Sequence, residues 1–343
     1  MSQERGRIRI TGYDTQTVDE REDLSDWEPE LQSEDAKGRM YYAWQRFKGN
    51  RAAVFGLSVI LLMTLLAIFA RPIEIAGTTV QPFSIAPYSP STHRYDVATQ
   101  APSWLWEPRS LEYLFGTDWA GRDIFSRVLF GGRWSLSIGF IAVGLAVFVG
   151  VPLGAIAGYY GGWIDEAIMR LVDALYAFPF LVLAIAIVAI VGKGYWNMIA
   201  ALVVVGWLPY ARIIRGEILS VKENEYVTAA KALGARDRSV IFRHIVPNAM
   251  APVIVQATLS IGSVVLAAAS LGFLGLGLPP SSAEWGSMLS NSQQTLHRGQ
   301  WWITFFPGLA IFAFVMAINL VGDGVREAFD PQSESGGTEG GFR

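Results

Sequence analysis

Apolar and polar residues fall in long blocks along this chain. Six apolar blocks, at about 52–70, 134–159, 171–191, 196–214, 249–271 and 301–320, carry almost no charge through their middles. An α-helix rises about 1.5 Å per residue, so about 20 such residues cross the ~30 Å hydrocarbon core of a bilayer. The pattern predicts an all-α polytopic membrane protein with six transmembrane helices. The polar blocks set the remaining divisions. A tail covers 1–36, a lead-in and the first span 37–70, and an external segment 71–133. A five-helix core covers 134–325, interrupted by a polar loop at 221–248, and a C-terminal tail covers 326–343.

Composition agrees with a membrane setting: 52% of residues are hydrophobic and 17% charged, against about 25% charged in soluble domains. The net charge of −3 says little, but its distribution says more. The first 36 residues hold eleven acids against four bases, a composition expected to stay solvated and unfolded. The chain's start is not expected to be a cleaved signal peptide, because about 50 polar residues precede an apolar run too long for a signal core. Lys37, Arg39, Arg46, Lys48 and Arg51 lie just before the first span. By the positive-inside rule the N-terminus is cytoplasmic, and six spans return the C-terminus to the same side. Arg212, Arg215, Lys222, Lys231, Arg236, Arg238 and Arg243 then cluster in and beside the polar loop, while Lys193 and Arg298 are the basic residues of the opposite connections. Arg122, Arg127 and Arg133 fit this rule less well, since they sit outside and close to a span.

The loop at 221–248 is the most informative stretch. Glu225 to Leu233 is rich in helix formers and stops at Gly234. Asp237 is placed to cap a second short helix that runs through Ile241 and ends near Pro247. Ala229, Ala230, Ala232, Leu233, Ile241 and Ile245 are expected to form a small apolar surface within the basic residues. A DNA-binding helix–turn–helix has this length and charge, but membrane segments begin directly on both sides. A plain solvated loop would not need to be folded or alanine-rich.

Other patterns carry weaker expectations. Asp118 with Arg122 and Asp123 with Arg127 stand at i,i+4, which predicts a short interfacial helix, either a contact or gate element or a self-stabilised surface helix. Gly150, Gly154 and Gly158 give two overlapping GxxxG units, suited to close helix packing or to a moving subunit interface. Arg170 and Asp173 are positioned to pair. Pro152, Pro179, Pro209, Pro252 and Pro307 place a proline in each of spans two to six, as static bends or as hinges. Mid-span ionisable groups, which proton- or sodium-driven transporters use, are nearly absent. The chain has no cysteine, hence no disulfide, thiolate metal site or cysteine nucleophile. It contains no GxxxxGK[ST], GxSxG or HExxH motif. His93, His244 and His297 fall in separate segments, so no metal site is expected.

The loop resembles the EAA loop of ABC-importer permeases in Glu225, Ala229, Ala230, Gly234, Ile245 and Pro247. Further stretches resemble the dipeptide/oligopeptide (peptide/nickel) permease C-subunit family. They are 46–53 (RFKGNRAA), 116–127 (GTDWAGRDIFSR), 169–179 (from MRLVD to FP), 243–248 (RHIVPN), 270–286 (from SLGFLGLG to EWG) and 319–331 (from NLVGD to DP). The resemblance implies a type I ABC importer permease fold with a cytoplasmic coupling-helix loop. It implies a multi-pass place in the cell membrane, beside a homologous permease subunit, two ATPase subunits and an extracytoplasmic peptide-binding protein, with no nucleic acid partner. ATP would be bound by the ATPase subunits, so this chain would hold no cofactor and would not be an enzyme. Glu225, Ala229, Ala230, Gly234 and Ile245 would dock the ATPase, with Pro247 ending the second docking helix. The residues lining the substrate path are not assigned. Nickel chelates, antimicrobial peptides or sugars are alternative cargoes, and an ion-driven secondary transporter is the alternative machine.

Overall fold

Three local rules account for most of the helix ends. Asparagine and aspartate cap helix starts, proline starts or breaks helices, and glycine ends them. The computed structural model describes residues 39–75, 78–105, 112–279 and 281–329. The acidic tail at 1–36 and the C-terminal tail beyond 329 lie outside the described residues. From Tyr42 onward the chain belongs to one unit.

Helix α1 (Arg39–Gly49) leads into α2 (Arg51–Phe69), whose N-cap Asn50 accepts a hydrogen bond from the Ala53 N–H at 3.0 Å. A small antiparallel hairpin follows, β1 (Ile73–Ile75) with β2 (Thr78–Gln81), pairing Glu74 with Thr79. Helix α3 (Ile124–Tyr160) is 37 residues long and is capped by Asp123, which accepts from the Ser126 N–H. Then come α4 (Gly162–Tyr176), α5 (Phe180–Val191), α6 (Tyr195–Gly206) and α7 (Leu208–Val221). The polar loop holds α8 (Glu225–Ala232), α9 (Asp237–Ser239), a π-helical segment (Val240–Ile245) and α10 (Val246–Ala249). Helices α11 (Ala251–Phe273), α12 (Trp285–Leu296) and α13 (Trp302–Phe329) complete the described chain.

Among the described residues five helices are long and apolar enough to cross a membrane, and α4 and α5 pass the same test only as a bent pair, a broken span or a re-entrant loop. The expected third span at 171–191 is therefore not one straight helix, because α4 and α5 meet at 90°. Pro179 has no N–H to continue the helical ladder, and it disfavours helical backbone at Phe178. The fourth span is two segments, α6 and α7, that meet at Trp207, with Pro209 in the first turn of α7. Pro252 likewise sits in the first turn of α11, so only Pro152 and Pro307 lie inside helices.

The second span corrects another expectation. Residues 117–123 form a turn closed by a Thr117–Asp123 bridge, not a short interfacial helix, and α3 begins immediately after it. Asp118 and Arg122 do pair, at 2.7 Å, but Asp123 caps α3 instead of pairing with Arg127. Helix α3 then runs through the bundle against α2, α6, α7 and α11. Gly150 and Gly154 bring its backbone onto α7: a Cβ at these positions would lie 2.5 Å from the Trp207 carbonyl oxygen and 2.2 Å from that of Ala211. The GxxxG spacing thus serves packing within this chain.

Candidate functional site

Two features stand out: the polar loop at one end of the bundle and a cavity halfway along it. The loop has a buried side and an open side. Val227, Val240, Ile241 and Ile245 are buried and anchor it to the bundle. Glu225, Ala229, Ala232 and Gly234 are exposed, Ala230 is half-buried, and Leu233 is 88% exposed. The expected apolar surface is therefore divided. Ile241 and Ile245 face inward, whereas Ala229, Ala232 and Leu233 face out beside Lys231, Arg236, Arg238 and Arg243.

Glycine sets the sharp corner. Gly234 has φ +80°, and its N–H bonds the Lys231 carbonyl while Ala235 N–H bonds that of Ala230. These two hydrogen bonds satisfy the Ala230 and Lys231 carbonyls near the end of α8 and leave Leu233 at the tip. Pro247 does not end the second helix. It stands in the first turn of α10, and the helical run continues from Asp237 to Ala249. Because Pro247 offers no N–H, the ladder shifts upstream: Val246 N–H bonds the Ile241 carbonyl, five residues back, and a π segment absorbs the mismatch.

Polar contacts not foreseen in the sequence tie the loop to α3 and α4 to α7. Tyr159, near the end of α3, donates to Asp237 at 2.7 Å, and Lys231 stands 4.9 Å from the Tyr159 ring centre. Lys222 donates to the Gly158 carbonyl at 3.3 Å. Asp165 of α4 accepts two bonds of 2.5 Å from Arg215 of α7. Arg170 pairs with Glu166 at 2.6 Å and not with Asp173, which pairs with Arg212. The available signal was that Asp165, Asp173, Arg212, Arg215 and Lys222 sit near span ends, but apart from the Arg170–Glu166 pair the partners are far away in sequence.

The cavity, of about 280 Å³, lies among α3, the α4–α5 break, α6–α7 and α11. Tyr176, Phe178 and Phe180 flank the break, and Tyr210, Ser260 and Ser263 are on the facing helices. Its wall is otherwise apolar.

The far end of the bundle is closed by buried charge. Arg127 donates to the carbonyls of Pro90 at 2.6 Å and Ser282 at 3.0 Å, and stands 3.9 Å from Asp118. Glu284 caps α12, accepting from Gly286 N–H and Ser287 N–H at 2.7 Å each. Burial pushes its carboxyl above the ordinary carboxylate range, against the pull of these donors. Arg133 donates to Ala67 and Ile68, closing the last carbonyls of α2. The three arginines that fit the charge rule poorly are thus held by the fold itself.

This arrangement defines a class: a polytopic helical membrane protein with a folded, outward-facing loop at one end and a cavity at a broken span. Residues 150–334 match the family model for the binding-protein-dependent transport system inner membrane component, and the chain belongs to this family. Residues 39–102 match the N-terminal TM domain of oligopeptide transport permease C. The chain is 44% identical to the dipeptide transport system permease protein DppC of Alkalihalophilus pseudofirmus, over 85% of this chain and 90% of that one. It is 43% identical to the di/tripeptide transport system permease protein DppC of Pseudomonas aeruginosa, over 84% and 91%. It is 39% identical to the glutathione transport system permease protein GsiD of Pectobacterium atrosepticum, over 85% and 91%.

Proposed function

We propose that this chain is a permease subunit of an ATP-driven importer of dipeptides and oligopeptides. It would line the path with a second, homologous permease, couple to two ATPase subunits through the loop at 221–248, and receive cargo from an extracytoplasmic peptide-binding protein. It has no catalytic role of its own, and both termini lie in the cytoplasm. The observation that carries the coupling role is the two-sided loop: buried Val227, Ile241 and Ile245 hold it to the bundle, while Glu225, Ala229 and Leu233 face out. Ile245 is then a positioning residue, and the contact is made by the open side. Similarity to dipeptide permeases supports peptide cargo.

In this reading, closure of the ATPase pair moves α8, and the Tyr159–Asp237 and Arg215–Asp165 contacts pass that movement to α3, α4 and α7. The direction of transport follows from ATP and cargo binding the two states differently. The decisive experiment purifies the tagged chain from its own membrane and reconstitutes what accompanies it. A second permease, ATPases and a binding protein are expected, with dipeptide uptake that needs ATP and tolerates ionophores. A chain that comes out alone, or uptake that collapses with an ion gradient, would overturn the reading. Relatives that carry glutathione favour one second reading, a tripeptide with a γ-glutamyl bond as cargo. Competition between glutathione and alanyl-phenylalanine for uptake separates the two.

A further inference from the structure

We infer that Ser260 and Ser263 of α11, with the cavity they line, form the place where a passing peptide is held, its amide groups on the hydroxyls and an apolar side chain in the cavity. The inference rests on the peptide-permease reading and adds the residues that would touch cargo.

Gln256, Ser260, Ser263 and Ala267 follow at i, i+4, i+7 and i+11, so they share one face of α11. Ser263 lies near the middle of Ala251–Phe273, at the depth where polar groups are costly against lipid and are turned toward protein or a water-filled space. Thr258 and Ser270 are satisfied within the helix, whereas Ser260 only accepts there and also meets Tyr210 of α7. Thr258 donates to the Ile254 carbonyl at 2.9 Å, Ser270 to that of Leu266 at 2.8 Å, and Ser260 accepts from Gln256 at 3.0 Å. Ser263 makes no side-chain hydrogen bond among the described residues, and it opens on the cavity. A lipid chain has no use for such a hydroxyl, whereas a peptide amide has both a donor and an acceptor for it. The remaining wall, with Phe178 and Phe180 at the broken span, suits an apolar or aromatic side chain. The volume of about 280 Å³ sits at the small end of ligand sites, in keeping with part of a peptide rather than the whole.

The chain has no cysteine, so Ser263→Cys introduces its single thiol. The test uses the whole transporter in proteoliposomes with ATP and its binding protein. A charged methanethiosulfonate reagent is added with or without alanyl-phenylalanine, and labelling of this chain is followed. Leu62→Cys, on the exposed apolar side of α2, is the reference. Ser263→Cys is expected to react at least about tenfold faster than Leu62→Cys, and the dipeptide is expected to slow it at least about threefold. Labelling as slow as that of Leu62→Cys would overturn the inference, since lipid or a partner helix would then cover the face. Labelling that ignores the dipeptide, in a transporter that still accumulates it, would overturn it equally. A wild-type transporter that does not accumulate the dipeptide would instead sink the peptide reading, and the occupant proposed here with it.

Discussion

The two ends of this bundle use charge in opposite ways. At the end away from the loop, Arg127 is 1% exposed and Glu284 is fully enclosed by the donors of α12 and Ser135. At the loop end, the Arg170–Glu166 pair is 78% and 62% exposed, and Arg212–Asp173 is 47% and 65% exposed. Buried charges are costly to leave without partners, so the first end is locked into one arrangement. Exposed pairs contribute only about 0–1 kcal/mol each and break easily. The fold thus fixes one end and leaves the other free to be engaged and moved.

The largest effect is expected from Arg127→Ala. It would strand the Pro90 and Ser282 carbonyls and leave Asp118 with one cation fewer. A loss of about 3–5 kcal/mol is expected from removing one partner of a buried charge cluster. Arg170→Ala, by contrast, should cost no more than about 0.5 kcal/mol. Unfolding of the purified chain in mixed micelles measures both, and equal costs would erase the contrast. Next in size is Gly154→Ala, where the new methyl would meet the Ala211 carbonyl oxygen at 2.2 Å. Forcing α3 off α7 should cost about 1–3 kcal/mol by overpacking, read by the same unfolding curves. Tyr159→Phe keeps the ring and removes the bond to Asp237. It should cost about 1 kcal/mol, and an unchanged midpoint would show that the loop is not clasped to α3 there.

These elements differ in how far the sequence foretold them. The spans were legible because a bilayer imposes length and apolarity on each helix, and the Gly150–Gly158 spacing was legible because close packing needs glycine at fixed intervals. The loop's helix–glycine–helix order was legible from local propensity alone. The break at Pro179 was only half-legible: proline announces a bend, but a 90° turn depends on what α4 and α5 pack against. The expected pairs failed where a distant group won. Asp173 goes to Arg212 across the bundle, and Asp123 is taken by the backbone N–H of α3. Ile245 was expected at the docking surface from the resemblance to the EAA loop, and in the fold its side chain is buried against the bundle. Ile241 and Ile245, four residues apart, share one face of the helical run and are both buried.

The smallest expected change in stability carries the largest functional weight. Leu233 is 88% exposed at the tip of the loop and touches almost nothing in its own chain. Leu233→Ser should therefore shift stability by no more than about 0.5 kcal/mol, as surface substitutions do. If the tip is an anchor that an ATPase subunit covers, its loss removes the burial of one leucine side chain, about 1.5–3 kcal/mol. That corresponds to association weakened roughly 10- to 100-fold. Titrating detergent-solubilised permease pair with ATPase subunits reads the association, and unfolding of the same preparation reads the stability. Weakened association with an unchanged unfolding midpoint fits a free end built to be engaged by a partner. Unchanged association would move the contact to Ala229 and Glu225, one and two turns back along the same side of α8, and Glu225→Lys would then be the variant that abolishes coupling.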